Sequence, residues 1–193
     1  MVKFNFKEKS FIIFVILATI LNFNTIIASL FSLQVFLYSK FILLYLFLFL
    51  VSTILLFINT NKTKKIAWIL ALISAIIFLF NPSSVPTNPS YMWGSFISFI
   101  QSMIWKDFTT ALLQLNRSLI PIIVGTCSFI ELKNHENKNL DKIMGIILIG
   151  LFCFSLFADK IILGIFELNQ YIKPVIYSLI FIIAIFLWNK FEK

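Results

Sequence analysis

The chain has 193 residues, of which 60% are hydrophobic and 12% charged, and its mean hydropathy is +0.98. A soluble domain of this composition would expose large apolar surfaces to water, so that class is excluded and a membrane protein is indicated. The net charge of +8 does not indicate nucleic-acid binding, because the lysines lie between apolar runs and form no basic face. We expect one membrane domain over 1–193, an all-α, polytopic integral membrane helical bundle in the lipid bilayer.

Six apolar runs are predicted to cross the bilayer core, which is roughly 30 Å thick, as helices. Short polar segments separate them, and Pro82 ends the third run because proline cannot continue a helix. The uncharged segment 81–90 holds three of the five prolines and is expected to be an outer linker. The predicted membrane helices are about 10–31, 35–58, 66–80, 108–132, 143–158 and 174–189.

Residues 92–107 have the pattern of an amphipathic helix in the outer interface of the membrane. Hydroxyl side chains expected to face water or headgroups recur on one side, and apolar side chains on the other. The first set is Ser95, Ser98 and Ser102, and the second is Trp93, Phe96, Ile100 and Ile104. Alternatively, the amphipathic helix continues to Arg117. The remaining 118–132 would then reach only about 22 Å, too short for the bilayer core, so a separate segment is favoured.

The basic residues predict the orientation of the bundle. Eleven of the 16 basic residues lie in segments that the predicted topology places on the same side of the membrane. These segments are the two chain ends, the loop 59–65 and the loop 131–142. Cytoplasmic loops of membrane proteins carry an excess of Lys and Arg. Both termini are therefore expected in the cytoplasm.

Polar residues within the apolar segments are the candidate binding residues. Asn22 shares one face of the first predicted helix with several hydroxyl residues, and Gln114, Asn116 and Arg117 lie in the fourth. A buried guanidinium cannot lose its proton, so Arg117 needs acceptors, and Asp159 is an expected partner together with Glu167. These residues are interpreted as lining a polar cavity between the two helices. The other interpretations are ordinary helix packing and an Arg117 side chain that extends to lipid phosphate.

The sequence contains none of the residue combinations that usually indicate a catalytic or metal site within a membrane. The single histidine, His135, lies in a polar loop, which leaves no zinc motif and no pair of haem ligands within the membrane. Cys127 and Cys153 are expected at different depths, about 6 and 15 Å, which argues against a disulfide. We therefore expect no catalytic residues, no metal and no cofactor, and an enzyme is the least favoured class.

Two functions remain open. The first is a small-solute transport component that uses the polar cavity, and the second is a non-catalytic structural or accessory subunit that binds other membrane protein subunits. In length, in the number of predicted helices and in its cytoplasmic ends, the chain resembles the substrate-binding subunits of energy-coupling-factor vitamin transporters. That resemblance in size and topology implies a solute-binding role and assigns no site residue.

Overall fold

The computed structural model describes residues 4–80, 96–133 and 137–192, without the side chains of residue 25 and residues 34–42. Within these ranges all regular structure is helical, so the predicted all-α class is confirmed. The predicted linker 81–90 and His135 lie outside the described residues. The helices are α1 (Phe6–Leu21), α2 (Phe23–Phe31), α3 (Leu33–Ile58), α4 (Asn61–Phe80), α5 (Phe96–Ile104), α6 (Phe108–Leu132), α7 (Lys138–Ile162) and α8 (Leu168–Phe191).

Four of the described helices, α4, α6, α7 and α8, are long and apolar enough to cross a membrane. Three of them begin before the predicted spans: α4 at Asn61, α7 at Lys138 and α8 at Leu168. The predicted spans were limited to the apolar runs. Polar residues can nevertheless cap a helix or occupy its first turn, so the helices continue into the loops.

The first predicted span is divided at Asn22, which ends α1 and precedes α2. The side-chain amide of Asn22 donates a hydrogen bond to the carbonyl of Ala18 at 2.8 Å, and the Asn22 backbone N–H donates to the same oxygen. An asparagine side chain that bonds to the local backbone competes with the regular helical pattern. The interruption at Asn22 therefore has a local cause in the sequence.

Helix α1 lies in the interior of the bundle, with 11 of its 16 residues buried. It packs against α3, α7 and α8, whereas α6 packs mainly against α4, α5 and α7. Phenylalanine rings fill the centre with edge-to-face contacts. The ring centroids are 5.7 Å apart for Phe11 and Phe49, 6.1 Å for Phe14 and Phe152, and 5.1 Å for Phe152 and Phe181. Such pairs contribute about 0.5–1.5 kcal/mol each beyond their buried area.

The two ends of the bundle are distinguished by the helix ends that meet there. At one end, which we call the termini end, the Phe4 backbone N–H donates to the Glu192 carboxylate at 3.1 Å, and α4 and α7 begin there. At the other end, the distal end, α1 ends, α6 begins, and Leu21 lies near Lys160 and Pro174. Both ends of the described chain are thus on the same side of the bundle.

Gly145 allows α1 and α7 to approach closely at the termini end. A Cβ atom added at Gly145 would lie 2.5 Å from the Phe6 ring and 2.9 Å from the Ser10 hydroxyl, which is closer than real contacts allow. At Gly125 in α6, an added Cβ would lie 3.5 Å from Ala75, an ordinary contact. Close packing therefore requires a glycine at Gly145 and not at Gly125.

The predicted amphipathic segment contains the nine-residue helix α5, and residues 92–95 lie outside the described part. A turn with Lys106 at φ 58 separates α5 from α6, which begins at Phe108 as predicted. Asp107 caps α6 by accepting the Thr110 N–H at 3.1 Å. Ile104 is exposed, as expected for the apolar side, but Ser98 is buried. The expectation that Ser98 faces water or headgroups was wrong, because α5 packs against α6 and α4.

Candidate functional site: two polar clusters

The distal cluster is a buried ion pair with an added amide. Both Nε and Nη2 of Arg117 lie 3.1 Å from Oδ2 of Asp159, and Asn116 Nδ2 donates to Oδ1 of Asp159 at 3.0 Å. The Asp159 side chain is 1% exposed and the Arg117 side chain 11%. Each carboxylate oxygen of Asp159 therefore accepts at least one hydrogen bond, which compensates for the burial of its charge.

The fold brings these residues together because α6 and α7 pack side by side in opposite directions. Asn116 and Arg117 occur early in α6, and Asp159 lies in the last turn of α7. The predicted pairing of Arg117 with Asp159 is confirmed, and Glu167 instead precedes α8 as its N-cap residue. The Asn116 Oδ1 atom is buried and accepts no hydrogen bond within the described part of the chain.

The other two candidate binding residues do not join this pair. The Asn22 side chain is directed back to Ala18 within its own helix. The carbonyl of Gln114 accepts the Ser118 hydroxyl at 2.7 Å, and its side chain is half-buried. None of the four predicted binding residues lines either of the two cavities described below.

The termini cluster centres on Lys7, whose side chain is 0% exposed. Its Nζ atom lies 2.5 Å from Glu131 Oε2 at the end of α6 and 2.8 Å from Asp141 Oδ1 in the first turn of α7. The same ammonium lies 5.5 Å from the centroid of the Trp68 ring. Lys7 therefore connects α1 to α4, α6 and α7.

Two further pairs extend the termini cluster. Lys64 Nζ lies 2.9 Å from Glu8 Oε1, and the Glu8 side chain is 1% exposed. Lys9 forms an ion pair with Glu192 and donates to the Asn189 amide oxygen at 2.6 Å. Each of the three charged residues at the start of α1 therefore has a partner of opposite charge on another helix.

These contacts depend on α1 beginning earlier than the sequence suggested. The first helix was predicted to begin at about residue 10, but Asn5 and Glu8 form a capping box with two hydrogen bonds of 2.8 Å. The spacing of an N-cap residue and a glutamate three positions later is a recognisable sequence signal. It places the start of the helix at Phe6 and the lysines within its first turns.

The pKa of Lys7 is raised above its ordinary value of 10.5. Burial alone would lower it, but hydrogen bonds and charge from Asp141 and Glu131 outweigh that effect. Lys7 lies at the start of α1, before the apolar run that begins at Ser10, and so outside the predicted membrane span. At the opposite end, hydrogen bonds from Thr110 lower the pKa of the exposed cap residue Asp107. Both groups are charged at neutral pH.

A cavity of about 530 Å³ opens at the termini end. Its lining residues lie in or next to four helices, α1, α4, α6 and α7, and six of the eight are charged. The lining residues are Asn5, Glu8, Asn61, Lys64, Lys65, Glu131, Lys138 and Asp141. This site was not predicted, since most of its residues come from segments that were interpreted as separate polar loops.

A smaller cavity of about 300 Å³ lies at the distal end. Lys160, Lys173, Asn169 and Gln170 provide its polar side, and the remainder is apolar, with Leu21, Leu156 and Pro174. The aromatic core described above lies between the two ends of the bundle. In this conformation the two cavities are therefore separate.

Within the described ranges, no group of three His, Cys, Asp or Glu side chains could hold a metal ion, and Cys127 and Cys153 are free thiols. Comparisons with protein-family models, curated proteins and solved structures found no significant match. The two clusters and the two cavities are therefore the features of this chain that bear on its function.

Proposed function

We propose that the chain crosses the membrane six times. The spans are the part of α1 from Ser10 onward together with α2, then the apolar parts of α3, α4, α6, α7 and α8, and α5 lies in the outer interface. Both termini are in the cytoplasm, as the positive-inside rule predicts. The proximity of Phe4 to Glu192 supports an even number of crossings, because it keeps both ends of the described chain on one side.

We propose further that the protein is a small-solute transport component whose solute site is the cavity at the termini end. One observation carries this proposal: the cavity of about 530 Å³ has six charged lining residues that come from four different helices. Small-molecule sites typically have volumes of about 300–1,000 Å³ and contain a few converging polar groups. The observed helices α1 and α6 both border this site, through Glu8 and Glu131, although Glu8 precedes the first predicted span.

In this proposal the predicted binding residues act at the distal end. Asn116 and Arg117 hold Asp159 and so keep α6 against α7 while the termini end is open. The packed rings between the two ends prevent free passage of a solute, as a transport component requires before it changes conformation. Asn22, at the break between α1 and α2, is a position where the first span can bend.

The test is a thermal-shift screen of the purified protein against small polar solutes, followed by uptake measurements in liposomes. A solute that binds the cavity raises the melting temperature of the parent. Lys65→Trp, which fills the cavity, is expected to abolish that rise. Lys62→Trp is the matched control, because Lys62 lies on the same exposed turn of α4 and does not line the cavity. Equal responses of both variants would contradict the proposal.

The second candidate is a non-catalytic subunit that binds other membrane protein subunits. The filled aromatic core favours it, because a rigid, packed bundle suits a structural role. Exposed Ile104, Trp105 and Phe108 offer an apolar surface at the distal end. Affinity purification in mild detergent separates the two candidates. A partner retained at fixed stoichiometry, without solute-induced stabilisation, supports the subunit, and a stable monomer that responds to a solute supports the transport component.

A further inference from the structure

We propose that the termini-end cavity binds a phosphate group. This inference deepens the proposed function, because it assigns a ligand class to the same cavity, although phosphate binding can be tested without transport.

Lysines pair with all three carboxylates of the cavity and compensate two of their three negative charges. Glu8 is paired with Lys64, and Glu131 and Asp141 are both paired with Lys7, which lies beneath them. The Lys7 and Glu8 side chains are almost completely buried, so these pairs are fixed parts of the cavity wall. The paired groups therefore keep a net charge of −1, and the sign of the whole site depends on the remaining lysines of the lining.

Two lysines of the lining remain without a carboxylate partner among the described residues. Lys65 lies in the first turns of α4, and Lys138 is the first residue of α7. Both are exposed and point to the same cavity from different helices. With Lys7 included, four lysines face three carboxylates, so the site has an excess positive charge available to an anion.

The helix ends add to this positive potential. Three helices begin at the cavity, α1 at Phe6, α4 at Asn61 and α7 at Lys138, and one, α6, ends there. Each N-terminus is equivalent to roughly +0.5 charge and a C-terminus to roughly −0.5, so the helix ends contribute about +1 in total. The Asn5 and Asn137 side chains satisfy part of the free backbone N–H groups, so the lysines remain the main contacts.

Phosphate fits this arrangement better than a cation or a neutral solute. Lys65 and Lys138 approach from two helices and can donate to different oxygens of one phosphate, and Asn5 and Asn61 supply amide groups nearby. The volume of about 530 Å³ leaves room for the organic group that carries the phosphate. That group belongs either to a soluble phosphate ester or to the headgroup of an anionic lipid at the cytoplasmic surface.

The experiment compares the parent with Lys65→Gln/Lys138→Gln. The matched control is Lys62→Gln/Lys142→Gln, which removes two exposed lysines from the same two helices outside the lining. In the first arm, detergent-purified protein is titrated calorimetrically with inorganic phosphate and glycerol 3-phosphate. In the second arm, nanodiscs of phosphatidylcholine with or without phosphatidylglycerol are used, and lipids retained by the protein are measured by native mass spectrometry.

We expect the cavity variant to lose affinity by about tenfold or more, since two charge-assisted hydrogen bonds are removed, while the control stays close to the parent. Parent affinity is also expected to fall as ionic strength rises. A difference in the first arm indicates a soluble phosphate ester, and a difference in the second arm indicates a lipid headgroup. Absence of the difference between the cavity variant and the control in both arms overturns the inference.

The outcomes also separate this inference from the proposed function. If a solute without phosphate stabilises the parent and Lys65→Trp abolishes that effect, the transport proposal stands and the phosphate inference fails. If phosphate or phosphatidylglycerol binds in the cavity but no solute is taken up by liposomes, the phosphate inference stands and the transport proposal fails.

Discussion

Arg117 and Asp159 form a buried ion pair in which Nε and Nη2 of the guanidinium are each 3.1 Å from Oδ2 of the carboxylate. The two residues are 42 positions apart in the sequence. Their contact fixes α6 against α7 at the distal end. The Asp159 side chain is 1% exposed, so removal of the guanidinium would leave a buried carboxylate without its cationic partner.

We therefore predict that Arg117→Ala lowers the free energy of unfolding by about 3–5 kcal/mol, the typical cost of breaking a buried pair. Arg117→Lys is expected to recover only part of this loss, because an ammonium does not reproduce the planar geometry of the guanidinium. The control is Lys142→Ala, which removes an exposed cation from α7 at a cost of about 0–1 kcal/mol. Denaturation in mild detergent measures all three, and an alanine variant as stable as the parent would show that the pair contributes nothing to stability.

A second prediction concerns the two glycines of α7. Gly145→Ala introduces a methyl group 2.5 Å from the Phe6 ring, whereas Gly150→Ala introduces one into open space. We expect Gly145→Ala to destabilise the protein by about 1–3 kcal/mol through overpacking. Gly150→Ala should stabilise by a few tenths to about 1 kcal/mol through its higher helix propensity. Thermal unfolding of the two variants tests this, and a similar effect at both positions would contradict the close approach of α1 and α7.

A third prediction concerns Lys7. Lys7→Met leaves Glu131 and Asp141 without their shared cation, and we expect a loss of about 3–5 kcal/mol. The further changes Glu131→Gln and Asp141→Asn should restore part of the stability, because they remove the repelling charges. Lys65→Met is the control at the same end, with an expected cost of about 0–1 kcal/mol for an exposed lysine. The comparison requires urea or thermal unfolding at neutral pH.

The raised pKa of Lys7 leads to a pH prediction. A group whose pKa is higher in the folded state stabilises the protein fully below its unfolded pKa, which is 10.5 for lysine. That contribution is lost as the pH rises through the raised folded value. The difference in melting temperature between the parent and Lys7→Met should thus be constant from neutral pH to about pH 10 and decrease above 10.5. A difference that already decreases near neutral pH would indicate that another group is responsible.

The proposed topology predicts which side of the membrane each loop occupies. In a variant in which Cys127 and Cys153 are replaced by alanine, new cysteines at Lys62 and Lys142 should react with a membrane-impermeant reagent applied from the cytoplasm. A cysteine at Ser84 should react only from outside. Labelling of Ser84 from the cytoplasm would contradict the six-span proposal, while the helical fold would remain unaffected.

The pairing of Arg117 with Asp159 was predictable from the sequence because both residues lie near one end of the predicted spans and burial of a guanidinium requires an acceptor. The termini cluster was not predicted. Lys7, Glu131 and Asp141 each appear in the sequence as ordinary loop charges, and their attraction depends on three segments meeting at one end. The burial of Ser98 was missed for a similar reason: periodicity identifies the faces of α5 but not which of them a neighbouring helix covers.

The sequence by itself determined the helical class and the presence of apolar helices long enough to cross a membrane, because the lengths of hydrophobic runs depend only on the local chain. Tertiary structure decided where charge is buried, which helices share an interface and where a cavity forms. α1 packs against α7 and α8, and this arrangement turns Lys7 and Lys9 from apparent surface residues into buried partners of Glu131, Asp141 and Glu192. Coulomb energies and cavity volumes depend on distances between residues far apart in the chain, and only the packed bundle fixes those distances.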